Sequence, residues 1–203
     1  CGQCLVSCPF GAIVDKSQIF QVVRSIAEGN TVIAIVAPSF VGQFGKNVTV
    51  PKFVAAMKQL GFSDVVEVAA GADVCAIEEA RDFVEKVPAQ QKFLATSCCP
   101  SWRMMARRLF PDESGNISMT YTPMIYTARL VKHTHPGSKV VFIGPCAAKK
   151  LEAMQQELRS DVDFVLTYEE LMGIFEAKGL DFSQLPDADD LRDASGLGRL
   201  CNN

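Results

Sequence analysis

Cysteine is the residue type in this chain that has the spacing needed for metal chemistry. Eight cysteines occur in 203 residues, yet a chain of this size lacks the small, loop-rich character of a disulfide scaffold. Six of them fall into three groups, and thiolates grouped in this way indicate metal binding in a reducing compartment, so we expect a cytoplasmic protein. The groups are Cys1, Cys4 and Cys8; the adjacent Cys98 and Cys99; and Cys146.

The first group has the spacing Cys1-x-x-Cys4-x-x-x-Cys8-Pro9. It resembles the last three cysteines and the proline of the C-x2-C-x2-C-x3-C-P motif of bacterial two-cluster ferredoxins. A zinc knuckle or a thiol redox pair remains the alternative, although a proline directly after the last cysteine is not expected of a zinc site. We therefore interpret residues 1–20 as the C-terminal part of a ferredoxin-like 4Fe-4S module whose beginning lies outside the chain.

Composition excludes several other classes of function. The chain is 48% hydrophobic and 21% charged, which is typical of a globular protein, and its formal net charge is −3. Its basic and acidic residues are mixed along the sequence, so nucleic-acid binding is not expected. No apolar run approaches the roughly 20 residues that cross a bilayer, so we expect no membrane span.

Apolar runs typical of strands alternate with helical patterns beyond residue 30. This alternation predicts an α/β fold with parallel sheets flanked by helices over residues 30–203. The predicted strands are Thr31–Val36, Asp64–Val68, Lys92–Thr96, Lys139–Ile143 and Asp163–Leu166. The predicted helices are Pro51–Leu60, Asp73–Val87, Ser101–Phe110, Thr122–His133, Ala147–Leu158 and Tyr168–Lys178.

Three loops follow three of the predicted strands: 37–39, 96–102 and 144–150. Ligands of open parallel sheets gather beyond the carboxyl ends of strands, so these loops should face one site. The side chains of Cys98 and Cys99 diverge, so one can bind metal while the other stays a free thiol, with a pKa near ~8.5 that cations lower. Lys149 is placed to direct a cation toward an anionic ligand set.

These loops carry a specific resemblance. Thr96-Ser97-Cys98-Cys99-Pro100-Ser101-Trp102 resembles the first signature of [FeFe]-hydrogenases, and the segment from Pro145 to Glu152 resembles the second. The resemblance extends from residue 1 to about residue 200. It implies the fold of the hydrogenase domain that holds the H-cluster, a 4Fe-4S cluster linked to a diiron unit with CO, CN and a bridging dithiolate.

The resemblance also implies roles for individual residues. Cys99 and Cys146 match cysteines that bind the 4Fe-4S part of the H-cluster. Cys98 matches the free cysteine that passes protons to the dithiolate amine. Lys149 matches the lysine that hydrogen-bonds a cyanide of the diiron unit. Cys1, Cys4 and Cys8 would be ligands of the electron-delivering clusters.

Two further segments gain roles in the same way. Ala37, Pro38 and Ser39 match a loop that packs on the diiron unit, with Ser39 a second cyanide partner. Ser118 resembles a serine that relays protons, and Glu79 resembles a glutamate of the same route. Asp82 stands where a second glutamate is expected, and this shorter acid changes the reach of the relay.

The chain departs from the family pattern at three places. Gly144 stands where the second signature usually begins with Met, and Met124 stands where a glutamine is common; in the best-known members of the family both positions line the diiron pocket. The third signature is absent, and Cys201 lacks the expected neighbours. We therefore expect the catalytic domain to be incomplete at its C-terminus and the fragment alone to be inactive.

The function that the resemblance implies is reversible oxidation of H2 and reduction of protons, with electrons relayed through 4Fe-4S clusters. It implies ferredoxin or a similar electron carrier and maturation proteins as partners. A hydrogenase-like sensor of H2 or redox state is one alternative. A non-catalytic iron–sulfur assembly relative is another, and the Cys98-Cys99 pair argues against it because those relatives lack the free cysteine.

Overall fold

A computed structural model describes residues 2–186 of the chain. Its four strands are β1 (Val32–Val36), β2 (Asp64–Glu67), β3 (Lys139–Gly144) and β4 (Phe164–Thr167). Its helices are α1 (Gln3–Val6), α2 (Ile19–Ala27), α3 (Val50–Leu60), α4 (Ala69–Lys86), α5 (Pro100–Leu109), α6 (Pro123–Thr134), α7 (Ala148–Ala153) and α8 (Tyr168–Ala177). Short 3-10 helices cover Pro38–Phe40 and Pro111–Asn116.

The four strands form one parallel sheet in the order β2-β1-β3-β4. All five residues of β1 are buried, as a central strand covered by helices on both faces requires. This architecture confirms the predicted α/β class of parallel strands flanked by helices. The carboxyl ends of β1, β2 and β3 lie side by side at one edge of the sheet.

Each face of the sheet has its own core because side chains alternate along a strand. Val32, Ala34 and Val36 of β1 point into a core with α2, α3 and α8. Ile33 and Ile35 point to the opposite core, where α6 packs. The second core continues to the sheet edge that carries the functional loops.

The predicted strand at Lys92–Thr96 is wrong. Within it only Ala95 pairs, in an isolated parallel bridge to Ile117, outside the four-stranded sheet. Lys92 and Phe93 are exposed, so the apolar run lacks the burial that would place it in the sheet. Two helix boundaries differ from the predicted ones by more than one residue, since α4 begins at Ala69 and α7 ends at Ala153. Helices α1 and α2 are absent from the prediction.

Residues 2–20 contain α1, the start of α2 and irregular chain, and no ferredoxin-like α+β unit is visible there. Cys1 and Cys201 lie outside the described residues. The segment is anchored where it joins the domain: buried Lys150 donates to Asp15 at 2.5 Å and to the backbone oxygen of Lys16 at 3.1 Å. Lys150 also bonds Glu170 at 2.9 Å, so it ties the start of the chain to α8.

Helices α4 and α6 cross closely at Gly71. A Cβ atom at this position would collide with the hydroxyl of Thr127 and the backbone oxygen of Pro123, so only glycine permits the approach. The crossing fixes α4, which carries Glu79, against α6, whose first turn borders the functional loops. Over residues 2–186, no helix is both long enough and apolar enough to cross a membrane.

Candidate H-cluster and proton-transfer site

A cavity of about 230 Å³ lies at the edge of the sheet where β1, β2 and β3 end. The loops after β1 and β3 and the first turns of α5 and α6 form its walls. Seven residues whose roles are predicted from the sequence line this one cavity, so the structure brings the three loops together. They are Ala37, Pro38, Ser39, Cys98, Cys99, Cys146 and Lys149.

The backbone fixes the start of the loop after β1, and the residue after β2, by extending the sheet ladder. The N–H of Ala37 donates to the backbone oxygen of Ile143 at 2.9 Å, and the N–H of Val68 donates to that of Val36 at 2.8 Å. Pro38 cannot continue the ladder because it has no N–H, so the chain turns away at the cavity. The loop of Cys98 arrives differently, because it follows the bridge at Ala95 and not a strand.

Cys99 and Cys146 both border the cavity, each just before a helix. Cys99 caps α5, and its sulfur accepts the N–H of Trp102 at 3.5 Å. A 4Fe-4S cluster takes four thiolates. These two cysteines therefore fit part of such a ligand set. In residues 2–186, no group of three or more Cys, His, Asp or Glu side chains lies close enough to hold a metal ion alone.

The Cys98 thiol lies on the cavity wall next to Cys99. Desolvation raises its pKa; the Lys149 ammonium opposes this rise, whereas the charges of Glu79 and Cys99 add to it. A thiol with a raised pKa is protonated at neutral pH. Cys98 can therefore hold a proton at the cavity.

Lys149 is fixed by two hydrogen bonds. Its ammonium donates to the carboxylate of Glu152 at 2.7 Å and to the backbone oxygen of Cys98 at 2.9 Å. Glu152 in turn accepts the hydroxyl hydrogen of Thr122 at 2.7 Å. An ammonium has three N–H donors, so one remains for a group in the cavity.

We expect Lys149→Met to destabilise the fold strongly. The side chains of Lys149 and Glu152 are only 13% and 3% exposed, so the variant leaves a buried carboxylate without its cation. Loss of one partner of such a pair costs about 3–5 kcal/mol. Urea unfolding of the cluster-free protein measures the change, and Glu152→Gln added to Lys149→Met should return part of the loss.

Lys86→Met is the matched control for that experiment. Lys86 and Asp82 form an ion pair on α4 with side chains 35% and 29% exposed. Removing a pair of this kind costs about 0–1 kcal/mol. Equal losses in the Lys149 and Lys86 variants would contradict a structural role for the buried pair.

Ser39 lines the cavity, and its hydroxyl also forms a hydrogen bond with Tyr168 on α8. Its hydroxyl lies 2.7 Å from that of Tyr168, which donates to the backbone oxygen of Ala37 at 3.1 Å. Burial raises the pKa of Tyr168 to about 12, and the Ser39 hydrogen bond opposes this rise. The pair holds the loop after β1 against α8.

Glu79 and Ser118 meet at Ser97, the residue before Cys98. The Glu79 carboxylate accepts the Ser118 hydroxyl and a backbone N–H at Ser97, while Ser97 donates to the backbone oxygen of Ser118 at 2.8 Å. Desolvation raises the pKa of Glu79, the two hydrogen bonds lower it, and the charge of Asp82 raises it. A carboxyl shifted toward neutrality can exchange protons with its neighbours.

The N-terminal cysteines lie in a different environment. Cys4 is on α1 and exposed, and Cys8 follows the helix. Backbone N–H groups of Phe10, Ala12, Ile13 and Gly11 lower the pKa of Cys8, with desolvation opposing them. Backbone donors directed at a sulfur favour the thiolate, the form that binds metal.

One protein-family model matches most of the chain. The model described as "Iron only hydrogenase large subunit, C-terminal domain" matches residues 30–203. The chain belongs to this family. Its relatives include the NADP-reducing hydrogenase subunit HndD of Solidesulfovibrio fructosivorans, 31% identical over 93% of this chain and 37% of the relative. The chain thus spans little more than a third of that protein's length.

Two other comparisons bear on this member of the iron-only hydrogenase family. An apo [FeFe]-hydrogenase structure from Chlamydomonas reinhardtii superposes with a TM-score of 0.76 at 23% identity, covering 89% of this chain and 53% of that one, which shows the shared fold. A cytosolic Fe-S cluster assembly factor of Phaeosphaeria nodorum is 33% identical over 54% of this chain and 20% of its own length. Similarity therefore reaches proteins named for hydrogenase activity and for cluster assembly.

Three residues of this site were missed in the sequence. Tyr168 directly follows β4, so the strand-end rule that selected the other loops would have selected it as well. Glu152 lies in the segment that resembles the second signature, but only the fold shows it bonded to Lys149 and Thr122. Phe142 has no motif and was found only through its place on the cavity wall.

Proposed function

We propose that this chain is part of the catalytic domain of an [FeFe]-hydrogenase that interconverts H2 with protons and electrons. The observation that carries the proposal is the convergence of Cys98, Cys99, Cys146 and Lys149 on one cavity. Cys99 and Cys146 would hold the 4Fe-4S part of an H-cluster, and Lys149 and Ser39 would face its diiron unit. That group, when bound, supplies the redox chemistry at H2.

The protein's own contribution is to move protons and exclude water. The raised pKa of Cys98 keeps its thiol protonated, so it can donate a proton into the cavity. Glu79 and Ser118, which meet at the preceding residue Ser97 and do not line the cavity, would return that proton to Cys98. Pro38, Val68 and Met124 give the cavity apolar walls that restrict water.

Electrons would arrive from the N-terminal cysteines. Cys1, Cys4 and Cys8 would bind 4Fe-4S clusters that accept electrons from ferredoxin or a similar carrier, and maturation proteins would install the diiron unit. The ion pair between Asp15 and Lys150 holds the chain that follows Cys8 against α7, the helix that begins two residues after Cys146. Such clusters and free thiols suit a reducing cytoplasm.

Infrared spectroscopy tests the proposal. The protein is produced anaerobically with hydrogenase maturation proteins, at the length that its gene encodes. We expect carbonyl and cyanide stretching bands from the bound diiron unit, and H2 evolution from a reduced electron carrier. Absence of both bands and H2 from protein that holds its 4Fe-4S clusters would refute hydrogenase function.

A non-catalytic role in iron–sulfur assembly is the second candidate, favoured by the similarity to the Phaeosphaeria nodorum assembly factor. It predicts 4Fe-4S absorption without carbonyl and cyanide bands in the same sample. A hydrogenase-like sensor is a third candidate and predicts the bands together with very slow turnover. The infrared and H2 measurements therefore separate the three functions.

A further inference from the structure

Phe142 occupies the space that a side chain at position 144 would fill. Both residues lie on β3 two positions apart, so they face the same side of the sheet. A Cβ atom built on Gly144 would lie 2.5 Å from Cε1 and 2.6 Å from Cζ of the Phe142 ring. The ring is therefore folded over the glycine toward the carboxyl end of the strand.

The same ring forms part of the cavity wall. Phe142 is 3% exposed, packs in the core with Met124 and Ile35, and borders the cavity together with Cys98 and Lys149. The Gly144 Cβ position is also 3.5 Å from the Cβ of Ala37, across the neighbouring strand end. The space above Gly144 is thus bounded by the Phe142 ring and by Ala37.

We propose that Phe142 is a wall residue that contacts the group bound in the cavity, and that Gly144 makes room for its ring. The proposal rests on the proposed function, in which this cavity receives the diiron unit. In place of a side chain at position 144, this chain presents the aromatic ring of residue 142 to the cavity. The wall at this position is then a rigid, apolar ring.

A double-mutant cycle on the cluster-free protein tests the shared space. Phe142→Ala and Gly144→Met should each lower the urea midpoint, the first by leaving a cavity and the second by displacing a buried ring. In the double variant the Met side chain can fill the space that the ring leaves, so its midpoint should lie above the sum of the two single shifts. Additive shifts would overturn the proposal.

Infrared spectra of the matured protein test the contact with the bound group. Phe142→Tyr should shift at least one carbonyl or cyanide band, because it adds a hydroxyl donor to the wall. Ile143→Val is the matched control, since Ile143 lies on the opposite face of the same strand, and its spectrum should equal that of the wild type. Identical spectra for Phe142→Tyr and wild type would overturn the proposal.

The two arms also separate this proposal from the proposed function. If wild-type protein shows no carbonyl or cyanide bands, hydrogenase function fails. The unfolding cycle still decides whether Phe142 and Gly144 share one space. Bands in the wild type combined with additive midpoints would refute the role of Phe142 alone.

Discussion

Replacing Cys98 with serine is expected to lower H2 turnover on the order of 10²–10⁴-fold, the range for a positioned proton-transfer group. Serine keeps the size of the side chain but its hydroxyl titrates far above neutral pH, so it cannot exchange a proton as the thiol does. The carbonyl and cyanide bands should persist, because the ligands that would hold the H-cluster are Cys99 and Cys146. H2 evolution and infrared spectra are measured on the same anaerobic preparation.

Two further variants sharpen this test. Cys98→Asp restores a titratable group at the cavity and should recover part of the activity that serine loses. Cys75→Ser is the control for thiol loss, because Cys75 is buried in α4 and does not line the cavity. Wild-type turnover in Cys98→Ser would remove Cys98 from the proton route, and loss of the infrared bands would make it a cluster-holding residue instead.

Much of the fold follows from patterns that are local in sequence. The run from Val32 to Val36 is entirely apolar because β1 is covered on both faces. The burial of all five residues is therefore predictable from this run alone. Pro51 and Gly61 mark the ends of α3 through backbone preferences, and the Thr49 side chain caps its first turn. The segment 92–96 shows the limit of such patterns, because an apolar run becomes a strand only where a partner strand is available.

The site was predictable to the extent that its residues follow strand ends. Ala37 directly follows β1 and Cys146 is the second residue after β3, so topology places them together. The partners that fix the site are distant in sequence: Thr122 bonds Glu152, and Tyr168 bonds Ser39. No local spacing encodes such pairs, and they became visible only with the tertiary structure.

Replacing Glu79 with glutamine is the second change with a large expected effect. Glutamine keeps the shape and accepts the Ser118 hydroxyl, but it does not titrate, so proton delivery to Cys98 should slow about 10²-fold. Glu78→Gln is the matched control. Glu78 is the preceding residue on α4, and its carboxylate is paired with Arg81 at 2.8 Å on the surface, so turnover should stay near that of the wild type.

The pH dependence of stability gives Glu79→Gln a readout that is independent of activity. Burial raises the pKa of Glu79 in the folded protein above its ordinary value of 4.5. The stabilisation linked to its protonated form is therefore complete below that value and is lost as the pH rises through the folded pKa. Glutamine cannot lose a proton, so the unfolding free energy of the variant should lack this decline with rising pH. Urea unfolding at several pH values measures it.

The two measurements together decide how Glu79 acts. A variant that loses turnover and also loses this pH-dependent stability identifies Glu79 as a buried, titrating carboxyl on the proton route. Lost turnover with an unchanged pH profile of stability would mean that Glu79 only positions Ser118 and the loop of Cys98. Ser118→Ala tests that alternative, because it removes the hydroxyl that lowers the pKa of Glu79, so this pKa should rise further while the carboxyl remains.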